Sequence, residues 1–185
     1  MGEQHKKHNR REHLNDFHLN VAGEYVYDGA LYACQNDDAK QRRSKRAVWG
    51  MAAILTVAVA AGGCIPAPGM QNCFYVLLPY LGEFLGAASV IWALAKLGTD
   101  WSTVREYNYK KSVAVLPVRT AVTAVFSLLG IVCDLIFFFV NDHAGQTFFA
   151  LLYVLLKLIA LLSVLVLRAE IMQAEWDKLP KKNNS

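Results

Sequence analysis

The chain has 185 residues, 55% of them hydrophobic and 18% charged, with a net charge of +4. Nothing in it resembles a basic fold with base-reading side chains, so nucleic acid is not an expected partner. The apolar residues are gathered into four blocks, a distribution that argues against one soluble domain.

Residues 1–46 form an N-terminal segment whose first 20 residues are polar and charged without apolar periodicity, which predicts a flexible tail. His5, His8, His13 and His18 lie in this tail, but no cysteine partner or ordered frame accompanies them, so no metal and no cofactor is expected. Tyr25-Val26-Tyr27, then Asp28-Gly29, then Ala30-Leu31-Tyr32 predicts a short β-hairpin over residues 24–33 with an Asp-Gly turn. No apolar h-region precedes residue 47, so no cleavable signal peptide is expected and the first apolar block should stay as an anchor.

The four blocks are residues 47–66, 74–95, 117–140 and 147–167. At about 1.5 Å per residue each can cross a hydrocarbon layer of about 30 Å. The predicted fold is therefore an all-α integral membrane protein, a four-helix transmembrane bundle. Outer loops of residues 67–73 and 141–146 join the first pair and the last pair of spans. The connection 96–116 predicts a short amphipathic helix with Asp100 as N-cap and Trp101, Val104 and Lys111 at helical spacing. Pro117 suits the first turn of the third span, and in the C-terminal tail of residues 168–185 the fourth helix is expected to run on past Arg168 through AEIMQAEWDK until Pro180 stops it.

Lys and Arg set the expected orientation. Of 19 in all, nine fall in residues 1–46, five in 96–119 and four from residue 168 onward, while both outer loops have none and Lys157 lies inside a span. The positive-inside rule then predicts a cell-membrane protein with both termini cytoplasmic and the lipid bilayer as its surroundings.

Glu83, Asp134 and Lys157 are the three ionisable residues within the spans. Counted from the outer ends they share a depth of about 12 to 15 Å. Thr120, Thr123, Ser127, Gly130 and Asp134 line one stripe of the third span, and Gly82 and Gly86 flank Glu83 in a GxxxG on the second. Small residues allow close helix approach and polar ones can bond across the seam. The expectation is an intramembrane polar network in which Glu83 faces inward and meets Lys157, with Asp134 as third member, because pairing relieves the cost of a lone charge in hydrocarbon. Two carboxylates and one ammonium leave a charge of −1, to be met by a protonated carboxyl or a visiting cation. The network serves either to fix helix register or to relay a proton, a cation or a small solute.

Cys64 and Cys73 flank the first outer loop and are candidates for a disulfide, while Cys34 and Cys133 read as packing residues. No HExxH, paired membrane aspartates, nucleophile elbow or phosphate loop is present, so no catalytic residue is assigned and an enzyme is not expected. The expected role is that of a non-enzymatic subunit, modulator or homo-oligomeric interaction protein, within a homo-oligomer or a larger membrane complex. The alternative is a small transporter or channel working through Glu83, Asp134 and Lys157.

Overall fold

A computed structural model of the protein describes residues 17–19, 23, 25–27, 29–141 and 147–179. The expected tail with His5, His8 and His13, the Asp28 of the expected turn, most of the loop 141–146, and Pro180 lie outside the described residues.

Among the described residues four helices are long and apolar enough to cross a membrane: α1 (Asp38–Cys64), α3 (Phe74–Leu97), α5 (Leu116–Val140) and α6 (Thr147–Met172). With 24 to 27 residues each, they run about 36 to 40 Å. Two short helices, α2 (Pro68–Asn72) and α4 (Glu106–Lys111), complete the helical set among the described residues.

Helix α1 starts nine residues before the expected boundary at residue 47. The KQRRSKR stretch consists largely of good helix formers, and Asp38 in the first turn complements the helix dipole. The change from charged to apolar residues therefore falls within one continuous helix. On its inner face Ser44 Oγ donates to Glu170 Oε2 of α6 at 2.8 Å. The helix ends before Pro66, which disfavours helical backbone at Ile65, and Pro68 opens α2. Gly98, at φ 70°, closes α3 by donating its N–H to Leu94 O at 3.0 Å.

Around the bundle, α1 packs chiefly on α6, α6 on α5 and α5 on α3, leaving the α1–α3 seam the lightest contact. Gly86 lets α5 approach, since a Cβ there would sit 2.6 Å from Thr123 Oγ1, and Gly82 similarly faces the ring of Phe126.

Among the described residues five short strands correct the all-α expectation in part. Strands β1 (Phe17–Leu19) and β2 (Tyr25–Tyr27) pair antiparallel, Phe17 opposite Tyr27, with the connection passing through Gly23 at φ 78°. Strand β3 (Leu31–Cys34) is the centre of a second sheet, flanked by β4 (Val104–Arg105) and β5 (Trp176–Lys178), both antiparallel to it. The expected 24–33 hairpin does not form. Both edges of β3 are taken by β4 and β5, so β2 turns to β1, and the Tyr27 ring folds over Gly29 with its hydroxyl donating to Ala30 O at 3.4 Å.

This three-stranded sheet caps one end of the bundle. Its strands come from before α1, between α3 and α5, and after α6, which puts those three segments at the same end. Trp101 is 2% exposed and packs with Leu97, Val104, Leu116 and Ile171, while its ring lies 5.8 Å from that of Trp176. Tyr109 meets Trp176 edge-on at 5.9 Å and stacks on Tyr32 at 4.2 Å. The expected amphipathic helix from Asp100 is thereby shortened to α4. Asp100 instead accepts from Ser102 Oγ at 2.7 Å and Ser102 N–H at 3.0 Å, bonds that hold its carboxyl below the usual carboxylate range. The helix expected to run past Arg168 through Lys178 ends instead at Met172, and Trp176–Lys178 become β5, because the edge of β3 offers them backbone partners.

Trp101→Ala should cost about 3 to 5 kcal/mol in reversible unfolding of the detergent-solubilised protein. Trp92→Ala, on an outward face of α3, should shift the same transition far less.

Candidate functional site

The polar residues of the interior come from three helices. Glu83 projects from α3 at the position where Gly82 and Gly86 bring α5 close, Ser127 from α5, and Lys157 from α6 one turn after Tyr153. Relative exposures are 0% for Glu83, 1% for Asp134 and 3% for Lys157.

Glu83 uses both carboxylate oxygens. Lys157 Nζ donates to Oε2, and Ser127 Oγ donates to Oε1 at 2.6 Å. The ammonium also lies 4.7 Å from the Tyr80 ring centre and 5.2 Å from that of Tyr153, so two aromatic faces complete its surroundings. Gly130 leaves the room: a Cβ there would stand 3.4 Å from Lys157 Nζ. An ion pair through one carboxylate oxygen, a hydroxyl donor on the other and two rings around the ammonium is what a buried pair needs to offset its desolvation.

Asp134 occupies a separate position, nearer α2. A Cβ on Gly69 would approach Asp134 Oδ1 to 2.7 Å and Phe137 to 3.2 Å, so the backbone of α2 rests directly over this carboxylate. Ala67, Pro68 and Gly69 are buried, and the connection expected to be a plain outer loop is instead a packed plug. Asp134 also acts electrostatically on Lys157 and Tyr153.

Of the stripe on α5, Ser127 bonds across helices, whereas Thr120 and Thr123 donate back to Leu116 O and Arg119 O of their own helix at 2.9 and 2.8 Å. Their role is a smooth packing surface, with Thr123 set against Gly86. Further cross-links lie toward the capped end, where Arg119 donates to Ser89 O of α3 at 2.6 Å and Arg168 of α6 to Pro117 O of α5.

Sequence reasoning missed Tyr80 as a neighbour of Lys157. Its signal was present three residues before Glu83, one helical turn away on the same side. It also missed Gly69, whose importance follows from a fold-back that no periodicity announces.

A narrow crevice lies where α1, α3 and α6 meet, lined by Gly62, Tyr80, Glu83, Lys157 and neighbouring apolar groups. It is too narrow to seat a water molecule. Tyr153 Oη is buried beside the network and has no hydrogen-bond partner among the described residues. Among the described residues, no group of three or more His, Cys, Asp or Glu side chains could hold a metal.

The candidate disulfide is not formed: Cys64 and Cys73 are both free thiols. Helix α2 intervenes, Cys64 faces outward at the end of α1, and Cys73 packs against the cluster of Ala67, Val76, Phe137 and Tyr153.

Lys157→Met should destabilise the detergent-solubilised protein by about 3 kcal/mol or more, since it strands a buried carboxylate. Adding Glu83→Gln should recover part of that loss, and a double-mutant cycle from thermal melts measures the coupling. Gly86→Val should be destabilising through steric conflict with Thr123 even though it adds apolar volume.

Comparison with protein-family models, curated proteins and solved structures finds no match at any of the three levels, so the geometry of this polar layer is the starting point for function.

Proposed function

We propose that the protein is a multi-pass membrane protein of the cell membrane, both ends of the described chain on the cytoplasmic side, that works without catalysis through association. It acts as a homo-oligomer or as a subunit or modulator of a larger membrane complex.

Membrane residence is supported by the outward faces of the long helices, which present Val57, Leu85, Val118, Leu128, Leu151 and Leu162 to the surroundings while the polar groups face inward. Aromatic residues mark both ends. Trp92, with Lys96 Nζ 5.3 Å from its ring, lies toward the capped end, and Phe74, Tyr75, Phe139 and Phe148 lie exposed at the other. Orientation is supported by agreement between charge and topology: the segments rich in Lys and Arg are those whose strands share one sheet.

The observation that carries the functional reading is the closure of the polar layer. Glu83 and Lys157 spend their bonding capacity on each other, Ser127 and two rings, and the adjoining crevice has no width for water. Such a layer fixes helix register, and it leaves the outer faces and the cap as the surfaces available to a partner.

One observation favours a second reading. The buried Tyr153 hydroxyl, beside Lys157 and Asp134, is a polar group that a proton relay through the layer could use. Under that reading Glu83→Gln changes proton flux, or its pH dependence, in liposomes.

Gentle extraction from native membranes followed by native mass determination tests the leading reading: the expected result is an oligomer or a stoichiometric complex, and a solitary monomer overturns it. In intact cells, a membrane-impermeant maleimide added outside should label a single-cysteine variant retaining Cys64 and spare one retaining Cys34; the reverse pattern would invert the orientation.

A further inference from the structure

The basic residues at the start of α1 are arranged on one side of the helix. Arg42, Arg43 and Arg46 line an open groove with Asp38 and Ala39. All three guanidinium groups are exposed, and among the described residues none makes a salt bridge, Asp38 included. The opposite side of the same two turns is held against the bundle, with Gln41 and Ser44 buried and Ser44 bonded to Glu170. The groove therefore faces outward on a helix that cannot rotate without breaking its inner contacts.

The same side continues along the apolar part of α1 as a strip of small groups. Gly50, Ala53, Val57 and Ala60 follow Arg46 at helical spacing and are exposed. A Cβ built at Gly50 would meet nothing within 4 Å. From Arg46 to Val57 is about 16 Å along the helix, close to the depth of one leaflet, about 15 Å.

We propose that this face is a binding site for an acidic phospholipid, with the phosphate among Arg42, Arg43 and Arg46 and an acyl chain along Gly50, Ala53 and Val57. The proposal rests on the membrane residence argued above. Three clustered guanidiniums give bidentate donors suited to a phosphodiester, and their charge complements an anionic headgroup. A soluble phosphate or an acidic peptide would use the arginines but would leave the strip of small groups unexplained; a lipid uses both.

The test uses the full chain reconstituted in phosphatidylcholine vesicles doped with spin-labelled phosphatidylglycerol or spin-labelled phosphatidylcholine. The motionally restricted fraction of each gives their relative association with the protein. Phosphatidylglycerol should be preferred, the preference falling by about fivefold for each arginine in Arg42→Gln, Arg43→Gln and Arg46→Gln. It should weaken as ionic strength rises. Gly50→Trp, which keeps every charge, should also lower the restricted phosphatidylglycerol fraction by obstructing the strip. Lys110→Gln with Lys111→Gln, basic residues of α4 away from the groove, should leave the preference intact. An undiminished preference in the triple arginine variant would overturn the proposal, as would unchanged binding in Gly50→Trp, or loss of the preference on adding excess inorganic phosphate or a soluble acidic peptide at constant ionic strength. Failure of the wild-type protein to incorporate into vesicles at all would instead count against membrane residence.

Discussion

A carboxylate and an ammonium withdrawn from water are tolerable together and expensive apart, and the interior of this bundle is organised around keeping Glu83 and Lys157 together. Their contact joins α3 to α6 across the bundle, while Ser127 ties in α5 through the second carboxylate oxygen. Glycines stand where the network demands close approach: Gly82 and Gly86 between α3 and α5, Gly130 beside the Lys157 side chain. The polar bonds define which rotation of each helix is acceptable, and the small residues make that rotation reachable. A purely apolar seam would tolerate slippage by a turn; this one would have to strand a charge to slip.

The two ends of the bundle are treated differently. At one end α2 folds inward and its backbone covers Asp134, giving a compact seal built from few residues. At the other, backbone hydrogen bonding in a small sheet gathers three distant segments, and the aromatic cluster of Trp101, Tyr109 and Trp176 makes that sheet continuous with the helical core. The basic residues at this end divide their work. Arg119 and Arg168 bond carbonyl groups of neighbouring helices and Lys45 sits over the Trp101 ring, whereas the arginines at the start of α1 are left facing out.

Much of the helical architecture was legible because its signals are local. Four apolar runs give four long helices, and the 3-4 spacing of Thr120, Thr123, Ser127, Gly130 and Asp134 reads directly as one face. Identical depth and inward facing were enough to bring Glu83 to Lys157 on paper. What escaped depends on partners remote in sequence. Val104-Arg105 and Trp176–Lys178 are too short to announce themselves as strands, and they become strands because β3 has two free edges. The hairpin expected at Asp28-Gly29 had a sound local signal that lost to those competitors. Asp134 was grouped with the ion pair by depth and by its place on the α5 stripe, and its closeness to α2 follows from a chain reversal after Cys64 that hydropathy does not encode.

The cap has a consequence for how the chain is made. Cys34 pairs with Trp176, about 140 residues later, and the two edges of β3 depend on chain that emerges after the second and after the last long helix. During synthesis one edge of β3 stays unpaired until the chain beyond α6 has been made, because its contacts with β5 are among the most distant in sequence that the molecule makes. Closure of the sheet is thus a late assembly step: it can happen only once all four long helices have been made. A chain that ends before β5 leaves one edge of β3 without its partner, a row of open backbone groups on which another strand can pair.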